Sequence, residues 1–215
     1  MTREQLEHAI RAACDISNDD DVVIIGSQSI LGQFPEAPRV LTGSAEVDLY
    51  PRSRPEMAEV IDAQIGEETG FHHEFGFYIH GVGPETATLP VGWEQRLIPV
   101  CNANTRQHTG WCLEVHDLAA SKMAFPYREK DNDFVAALLW HAMASADVLA
   151  DRVRALPVDD QQIALVCERV QRVTQAVAAA RSAGNTDSPS YEDGTWPQVA
   201  PPPIPGARNG PKRSR

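Results

Sequence analysis

Apolar positions follow a helical rhythm at the two ends of the chain and a strand rhythm between them. Leu6, Ile10 and Ala13 recur at helical spacing, which predicts an amphipathic helix over Thr2–Cys14. Thr2 stands at its start with Gln5 three positions on, the spacing of a capping box. Asn18–Asp21 reads as a turn, and the β-branched run Val22–Ile25 as a strand buried on both faces. Gly26-Ser27 ends that strand, and Ser27–Gln33 reads as a short helix. Phe34–Ser44 holds Pro35, Pro38 and Gly43 and is expected to be a loop. Ala45–Tyr50 alternates as a second strand, stopped by Pro51. Pro55–Ile65 predicts a helix with Met57, Val60, Ile61 and Ile65 on its apolar face. Phe71–Gly76 reads as irregular, Phe77–Val82 and Gln95–Val100 as strands, Asn102–Gly110 as a polar loop, and Trp111–Val115 as a last short strand.

The pattern then turns helical. Asp117 is expected to cap a helix running through Ala124, a break follows at Pro126, and a longer helix spans Glu129–Met143. Ala146–Leu156 and Asp159–Ala183 carry Leu, Val and Ile at helical spacing with arginines between, divided by Pro157. From Gly184 onward the chain holds seven of its sixteen prolines, too few apolar residues for a core, and is read as disordered. The order of elements predicts an α+β fold, a mixed β-sheet flanked by helices with a helical C-terminal portion. The expected divisions are a domain over 1–144, a helical extension over 145–183 and a Pro-rich tail over 184–215.

Composition narrows the classes. At 42% hydrophobic, 215 residues suffice for one buried core. No apolar run reaches the ~18 residues of a membrane span, and the N-terminus is charged from Arg3 with no apolar signal core. The expectation is therefore a cytoplasmic protein with no membrane partner. Cys14, Cys101, Cys112 and Cys167 are widely spaced, which excludes a zinc ribbon and fits a reducing compartment. The net charge is −11; three acids and four bases after residue 183 leave −12 for residues 1–183. Residues 145–183 balance, so the acidity lies in 1–144 and disfavours a broad nucleic-acid-coating surface.

Three segments carry candidate chemistry. Strand, Gly26-Ser27 corner and helix start, through Ser29, present backbone N–H groups and hydroxyls that suit a phosphate, although the same residues also make an ordinary turn. Glu46 and Asp48 are alternate residues of one strand and share a face. Two carboxylates so placed need a cation between them, and Mg²⁺ takes one or two carboxylates plus substrate phosphates; a solvent-facing strand edge is the plainer account. Lys122 lies on a helix of small apolar residues, followed by Arg128, Glu129, Lys130 and Asp131. Its point charge suits a phosphate, and a solvated corner of local ion pairs is the alternative. Arg52 and Arg54 follow the carboxylate strand and are candidates for a polyanionic substrate. The histidines show no zinc-ligand spacing, and His72-His73-Glu74, their one dense group, is read either as a support behind a site or as a surface feature. No GxSxG, Walker A or GxGxxG motif is present.

Taken together, an apolar strand ending in Gly26-Ser27, a short helix, a loop and then Glu46-Val-Asp48-Leu-Tyr50 resemble the signature of the nucleotidyltransferase superfamily, which has the DNA polymerase β-like fold. The segment DLAASK (117–122) with REKD (128–131) resembles the matching helix of nucleotidyltransferases from bacterial toxin–antitoxin and phage-defence pairs. The longer string VVIIGSQSILGQFPEAP, EVDLYP, FGFYIHGVGPETATLPVGWEQRL and CLEVHDLAASK…REKD is similar to a family of bacterial nucleotidyltransferase-like proteins, over roughly residues 1–145.

The resemblance implies an Mg²⁺-dependent transfer of a nucleoside monophosphate from a nucleoside triphosphate to an acceptor. It implies that Gly26 and Ser27 hold the triphosphate and that Glu46 and Asp48 hold Mg²⁺; Ser29, Arg52 and Arg128 are the further candidates for binding the nucleotide that the residues themselves offer. It further implies that Lys122 contacts phosphate and that Asp131 matches an acidic residue of the toxins' later motif. The acceptor is expected to be the 3′ end of tRNA or a protein hydroxyl, with a cognate antitoxin as partner. Two departures stand out. Glu46 replaces the usual first aspartate, and the strand expected to bring a third carboxylate, Arg96–Val100, has no acid; Glu114 is the substitute on the next strand. The departures keep open a catalytically impaired nucleotidyltransferase-fold module that acts through a protein partner. A small-molecule nucleotidyltransferase of the aminoglycoside-modifying type, suited by an acidic surface, is the third alternative.

Overall fold

The computed structural model describes residues 1–124 and 128–190. The break read at Pro126 and the tail beyond Ser190 lie outside the described residues.

The chain opens with α1 (Arg3–Ser17), where the Thr2 hydroxyl accepts from the Gln5 N–H and the Gln5 side chain accepts from the Thr2 N–H. Both halves of the capping box are thus present. Asn18 ends the helix in the left-handed region at φ 50°. β1 (Asp21–Ile24) follows and turns at Gly26 into a 3₁₀ segment (Ser27–Ser29) and α2 (Ile30–Gln33). α3 (Arg39–Thr42) then precedes β2 (Glu46–Pro51). A 3₁₀ turn at Pro55–Met57 runs into α4 (Ala58–Ile65), then α5 (Gly70–Phe75) and β3 (Tyr78–Gly81). β4 (Ile98–Val100) and β5 (Thr109–Cys112) complete the strands. α6 (Val115–Met123), α7 (Glu129–Trp140), α8 (Ala146–Arg154) and α9 (Asp160–Ser182) form the helical remainder.

Among the described residues the strands make one five-stranded mixed sheet in the order β3-β2-β1-β5-β4. β1 runs antiparallel to β2 and parallel to β5, β2 runs parallel to β3, and β4 pairs antiparallel with β5. The fold is α+β, as the order of elements predicts. The register assigns the faces. Gly110 stands beside Val22, and a side chain there would meet Ile10 of α1 at 2.3 Å, so α1 covers this face. Ile24 pairs with Leu49 on the same face. Successive strand residues point to opposite sides, so Val47 and Leu49 are fully buried toward α1, while Glu46 and Asp48 leave the other face. One apolar core runs from Leu6 and Ile10 through the sheet to Leu149, Val153, Val166 and Val170 of α8 and α9.

Several local readings differ from the structure. The 34–44 segment contains α3. Phe71–Gly76 is helical: the Thr69 hydroxyl accepts from the His72 N–H, and Gly76 at φ 69° provides the left-handed stop. Of Gln95–Val100, only Ile98–Val100 is strand, because Trp93–Arg96 winds into a 3₁₀ turn. Asp117 is not the cap of α6; the Glu114 carboxylate accepts from the His116 N–H, and Asp117 lies inside the helix, fully buried. Val60 faces water at 37% exposure, while Ala58, Ile61 and Ile65 carry the buried face of α4. No helix of the described residues is long and apolar enough to cross a membrane.

Candidate active site

The site is built where β1 ends and β2 begins, which the antiparallel pairing brings together. The Ile25 N–H donates to the Asp48 carbonyl at 3.0 Å, carrying the pairing one residue beyond β1. Gly26 then has extended backbone, φ −84° and ψ −174°. A Cβ on Gly26 would lie 1.9 Å from Asp48 Oδ2. Glycine is therefore needed because the Asp48 carboxylate packs against its backbone. Ser29 closes the corner: its N–H and its hydroxyl both donate to the Gly26 carbonyl, at 3.0 and 2.8 Å.

β3 supplies a third group. In the parallel β2–β3 register His80 is the partner of Asp48, so its side chain leaves the same face. Its Nδ1 lies 2.9 Å from Glu46 Oε1 and 3.0 Å from Asp48 Oδ1. One ligand atom from each of Glu46, Asp48 and His80 falls within 4.8 Å of the others. Burial raises the Glu46 carboxyl above its ordinary pKa and the charge of Asp48 adds to this, with His80 offsetting only part. Burial pulls His80 down, but its hydrogen bond to Asp48 and the charges of Asp48, Glu46 and Asp62 outweigh that, so its pKa is raised. Two carboxylates and an imidazole on one face thus form a group whose ligand atoms are close enough together to hold a cation.

The helical side carries the opposite sign. Lys122 of α6 reaches Asp131 of α7, Nζ to Oδ1 3.1 Å, and sits 4.9 Å from the centroid of the Phe134 ring. Arg128 Nε holds the other oxygen, Oδ2, at 2.8 Å. Asp131 is 2% exposed, so both of its oxygens are occupied by cations and it is turned away from water.

A cleft of about 410 Å³ joins the two sides, within the usual size range of small-molecule sites. Gly26, Ser27, Glu46, Asp48 and His80 line it from the sheet, and Lys122, Arg128, Lys130 and Asp131 from the helices. The expected residues Gly26, Ser27, Glu46, Asp48, Lys122, Arg128 and Asp131 are therefore brought together. Ser29 and Arg52 are not. Ser29 is fully buried behind the corner, its hydroxyl committed to Gly26. Arg52 follows the far end of β2, about 20 Å along the strand from Glu46 at ~3.3 Å per residue, with its guanidinium 4.8 Å from the Trp111 ring centroid. Arg54 Nη1 donates to the Ser17 carbonyl. Glu114 is likewise absent from the cleft, since it caps α6 and holds His116 Nδ1 at 2.7 Å. His72 and His73 sit on α5, where His72 Nδ1 accepts from the Glu68 N–H.

His80 escaped sequence reasoning. Its only trace is a polar residue in the apolar strand pattern Phe77–Val82, and nothing local tells which residue it will face. Ser44, Thr86, Thr88 and Ser121 also line the cleft without a motif to mark them.

The chain is matched over residues 4–178 by a family model described as nucleotidyltransferase of unknown function (DUF6036). The match runs from the first turn of α1 into the last turns of α9 and covers the whole cleft. No curated protein and no solved structure matches the chain. The chain belongs to this nucleotidyltransferase family.

Proposed function

From that membership we propose that the protein is a divalent-metal-dependent nucleotidyltransferase that moves a nucleoside monophosphate from a nucleoside triphosphate onto an acceptor hydroxyl. The observation that carries this reading is the joining of opposite charges in one cleft. Glu46 and Asp48 line it beside the Gly26-Ser27 corner, and Lys122, Arg128 and Lys130 line it from the helices. A triphosphate with its cation is the ligand whose charge alternates in that way.

The donor set fits the implied metal: two carboxylates and an imidazole, each offering a ligand atom within 4.8 Å of the others. Glu46 and Asp48 would hold the ion, which supplies charge neutralisation at the phosphate oxygens when bound. Ser27 offers its N–H and hydroxyl to the phosphates. Lys122 neutralises charge that builds on the transferred phosphate, and Asp131 positions Lys122 rather than touching the substrate. Arg128 and Lys130 hold the outer part of the polyanion. The acceptor oxygen bonds to the α-phosphorus, the bond to the β-phosphate bridge breaks, pyrophosphate leaves, and the hydroxyl proton is lost to water.

For the acceptor we favour the 3′ end of tRNA, with the chain acting as the toxin of a toxin–antitoxin pair. The resemblance of DLAASK and REKD to toxin nucleotidyltransferases supports this, and Arg128 and Lys130 give an acidic body a small basic mouth.

The test is to incubate the protein with Mg²⁺, each labelled nucleoside triphosphate and total tRNA, beside Asp48→Asn. Label is expected on tRNA with the intact carboxylate and none with the variant. Label on protein instead replaces tRNA by a protein hydroxyl, and an undiminished rate in Asp48→Asn rejects the assignment. A non-catalytic nucleotide-binding module is the second reading. Its support is that the strand expected to bring a third carboxylate, Arg96–Val100, has no acid and its strand part, β4, lies at the opposite edge of the sheet from β3, so that an imidazole, His80, stands beside Glu46 and Asp48. Tight nucleotide binding without transfer under any metal would favour it.

A further inference from the structure

We propose that His80 is the third protein ligand of the metal centre and that its imidazole turns the site's preference from Mg²⁺ toward first-row transition ions such as Mn²⁺. The inference rests on the reading of Glu46 and Asp48 as metal ligands and names the residue and ion class that complete it.

The geometry supports ligation over a simple surface ion pair. His80 and Asp48 are direct neighbours in the β2–β3 register, so backbone pairing holds both side chains on one face. Nδ1 faces Glu46 Oε1 at 2.9 Å and Asp48 Oδ1 at 3.0 Å. Adjacent ligand atoms of an octahedral ion with bonds of ~2.1 Å are themselves about 3.0 Å apart. The two separations from Nδ1 are therefore ones that a single ion spans, and all three ligand atoms lie within 4.8 Å of one another. Asp48 is further fixed against Gly26, where no Cβ fits. His80 is on an edge strand with its side chain 48% exposed. An ion pair that exposed contributes little to stability, so folding alone gives little reason for this arrangement.

Donor chemistry then sets the preference. Mg²⁺ takes hard oxygen ligands and keeps its waters. Imidazole nitrogen suits Zn²⁺, Cu²⁺, Fe²⁺ and Ni²⁺, and for mixed nitrogen and oxygen sites affinity rises along the series from Mn²⁺. Replacing a third carboxylate by imidazole also lowers the charge of the ligand set by one, which removes part of the purely electrostatic attraction on which Mg²⁺ depends. Mn²⁺ is the useful probe because its unpaired electrons report on the coordinated nitrogen.

The experiment titrates wild type, His80→Asp, His80→Lys and Asp48→Asn with MnCl₂ and competes with MgCl₂. It is run with and without a non-hydrolysable triphosphate analogue, and thermal melts confirm folding. Pulsed electron paramagnetic resonance of the bound Mn²⁺ reads nitrogen coupling. Wild type is expected to show that coupling, and His80→Asp to lose it while the Mn²⁺-to-Mg²⁺ affinity ratio falls by about tenfold or more. His80→Lys keeps a cation in place without a free ligand, and is expected to lose Mn²⁺ binding. Bound Mn²⁺ with no nitrogen coupling, and an unchanged ratio in His80→Asp, overturns the role of His80 and leaves the carboxylate reading standing. Mn²⁺ bound equally by Asp48→Asn, or no metal bound by wild type in either condition, overturns the carboxylate reading as well.

Discussion

Asp117 and Asp131 are two buried aspartates on successive helices, each held between two cations, and they stand in different surroundings. Asp117 in α6 is 0% exposed. Arg96 grips it side-on, Nε to Oδ2 2.7 Å and Nη2 to Oδ1 2.9 Å, and Arg152 of α8 stands 3.2 Å from Oδ1. All three groups belong to the scaffold, and the cluster ties the 3₁₀ turn before β4 and α8 to α6. Asp131 is 2% exposed, but its cations Lys122 and Arg128 line the cleft. The local chemistry is nearly the same; what differs is whether the cations have a second surface to serve. A buried acid between two bases is thus not by itself a catalytic sign.

The largest expected effect separates the two on stability. Asp117→Ala leaves Arg96 and Arg152 without their anion, and breaking such a buried cluster costs about 3–5 kcal/mol. Both arginines retain about a quarter of their exposure and can turn to water, which places the cost at the lower end. Urea unfolding measures it, and transfer per folded molecule should stay near wild type. A loss of transfer without a loss of stability would break the contrast.

The next effect runs the other way. Lys122→Met keeps the apolar stem over Phe134 and is expected to cut nucleotide transfer by about a hundredfold, the order seen when a phosphate-stabilising group is removed. Asp131→Asn is expected to lose roughly tenfold, because Lys122 remains present but no longer held. Steady-state kinetics for both, beside their melting curves, sharpen the assignment of Asp131 as a positioning residue. Equal losses in the two variants would instead give Asp131 a direct role.

The smallest effect concerns a third buried acid, Glu7. Burial pushes its carboxyl up, but hydrogen bonds from Asn104, Asn102 and Arg3 outweigh this and hold its pKa below the ordinary 4.5. A carboxyl lowered on folding adds stability above its unfolded pKa and loses it as pH falls through the folded value. Glu7→Gln should therefore flatten the stability profile below about pH 4.5 and leave nucleotide transfer unchanged. Chemical denaturation across pH 3–6, an interval set on the order of the carboxylate range, checks it.

How much of this was legible follows the range of the forces involved. The capping box at Thr2 and Gln5, the strand read at Val22–Ile25 and the shared face of Glu46 and Asp48 depend on neighbours within a few residues, and the structure shows the box, a strand over Asp21–Ile24 and the shared face. The two short helices α3 and α5 were missed because each spans six residues or fewer and carries little periodic signal. Asp117 looked like a cap because acids favour helix starts, whereas Arg96, twenty-one positions earlier, draws it into the core.

By itself, the sequence determined the α+β order, the Gly26-Ser27 corner, the carboxylate pair and the conjunction of Lys122 with Arg128 and Asp131. Those are properties of period, turn chemistry and local charge. Only the tertiary structure decided the rest. Antiparallel pairing of β1 and β2 puts Asp48 against Gly26 and carries Arg52 to the opposite end of the sheet. Parallel pairing of β2 and β3 places His80 between the carboxylates, thirty-two positions from Asp48. Strand register is set by which faces the whole core buries, and a shift of one residue would turn His80 to the other side of the sheet.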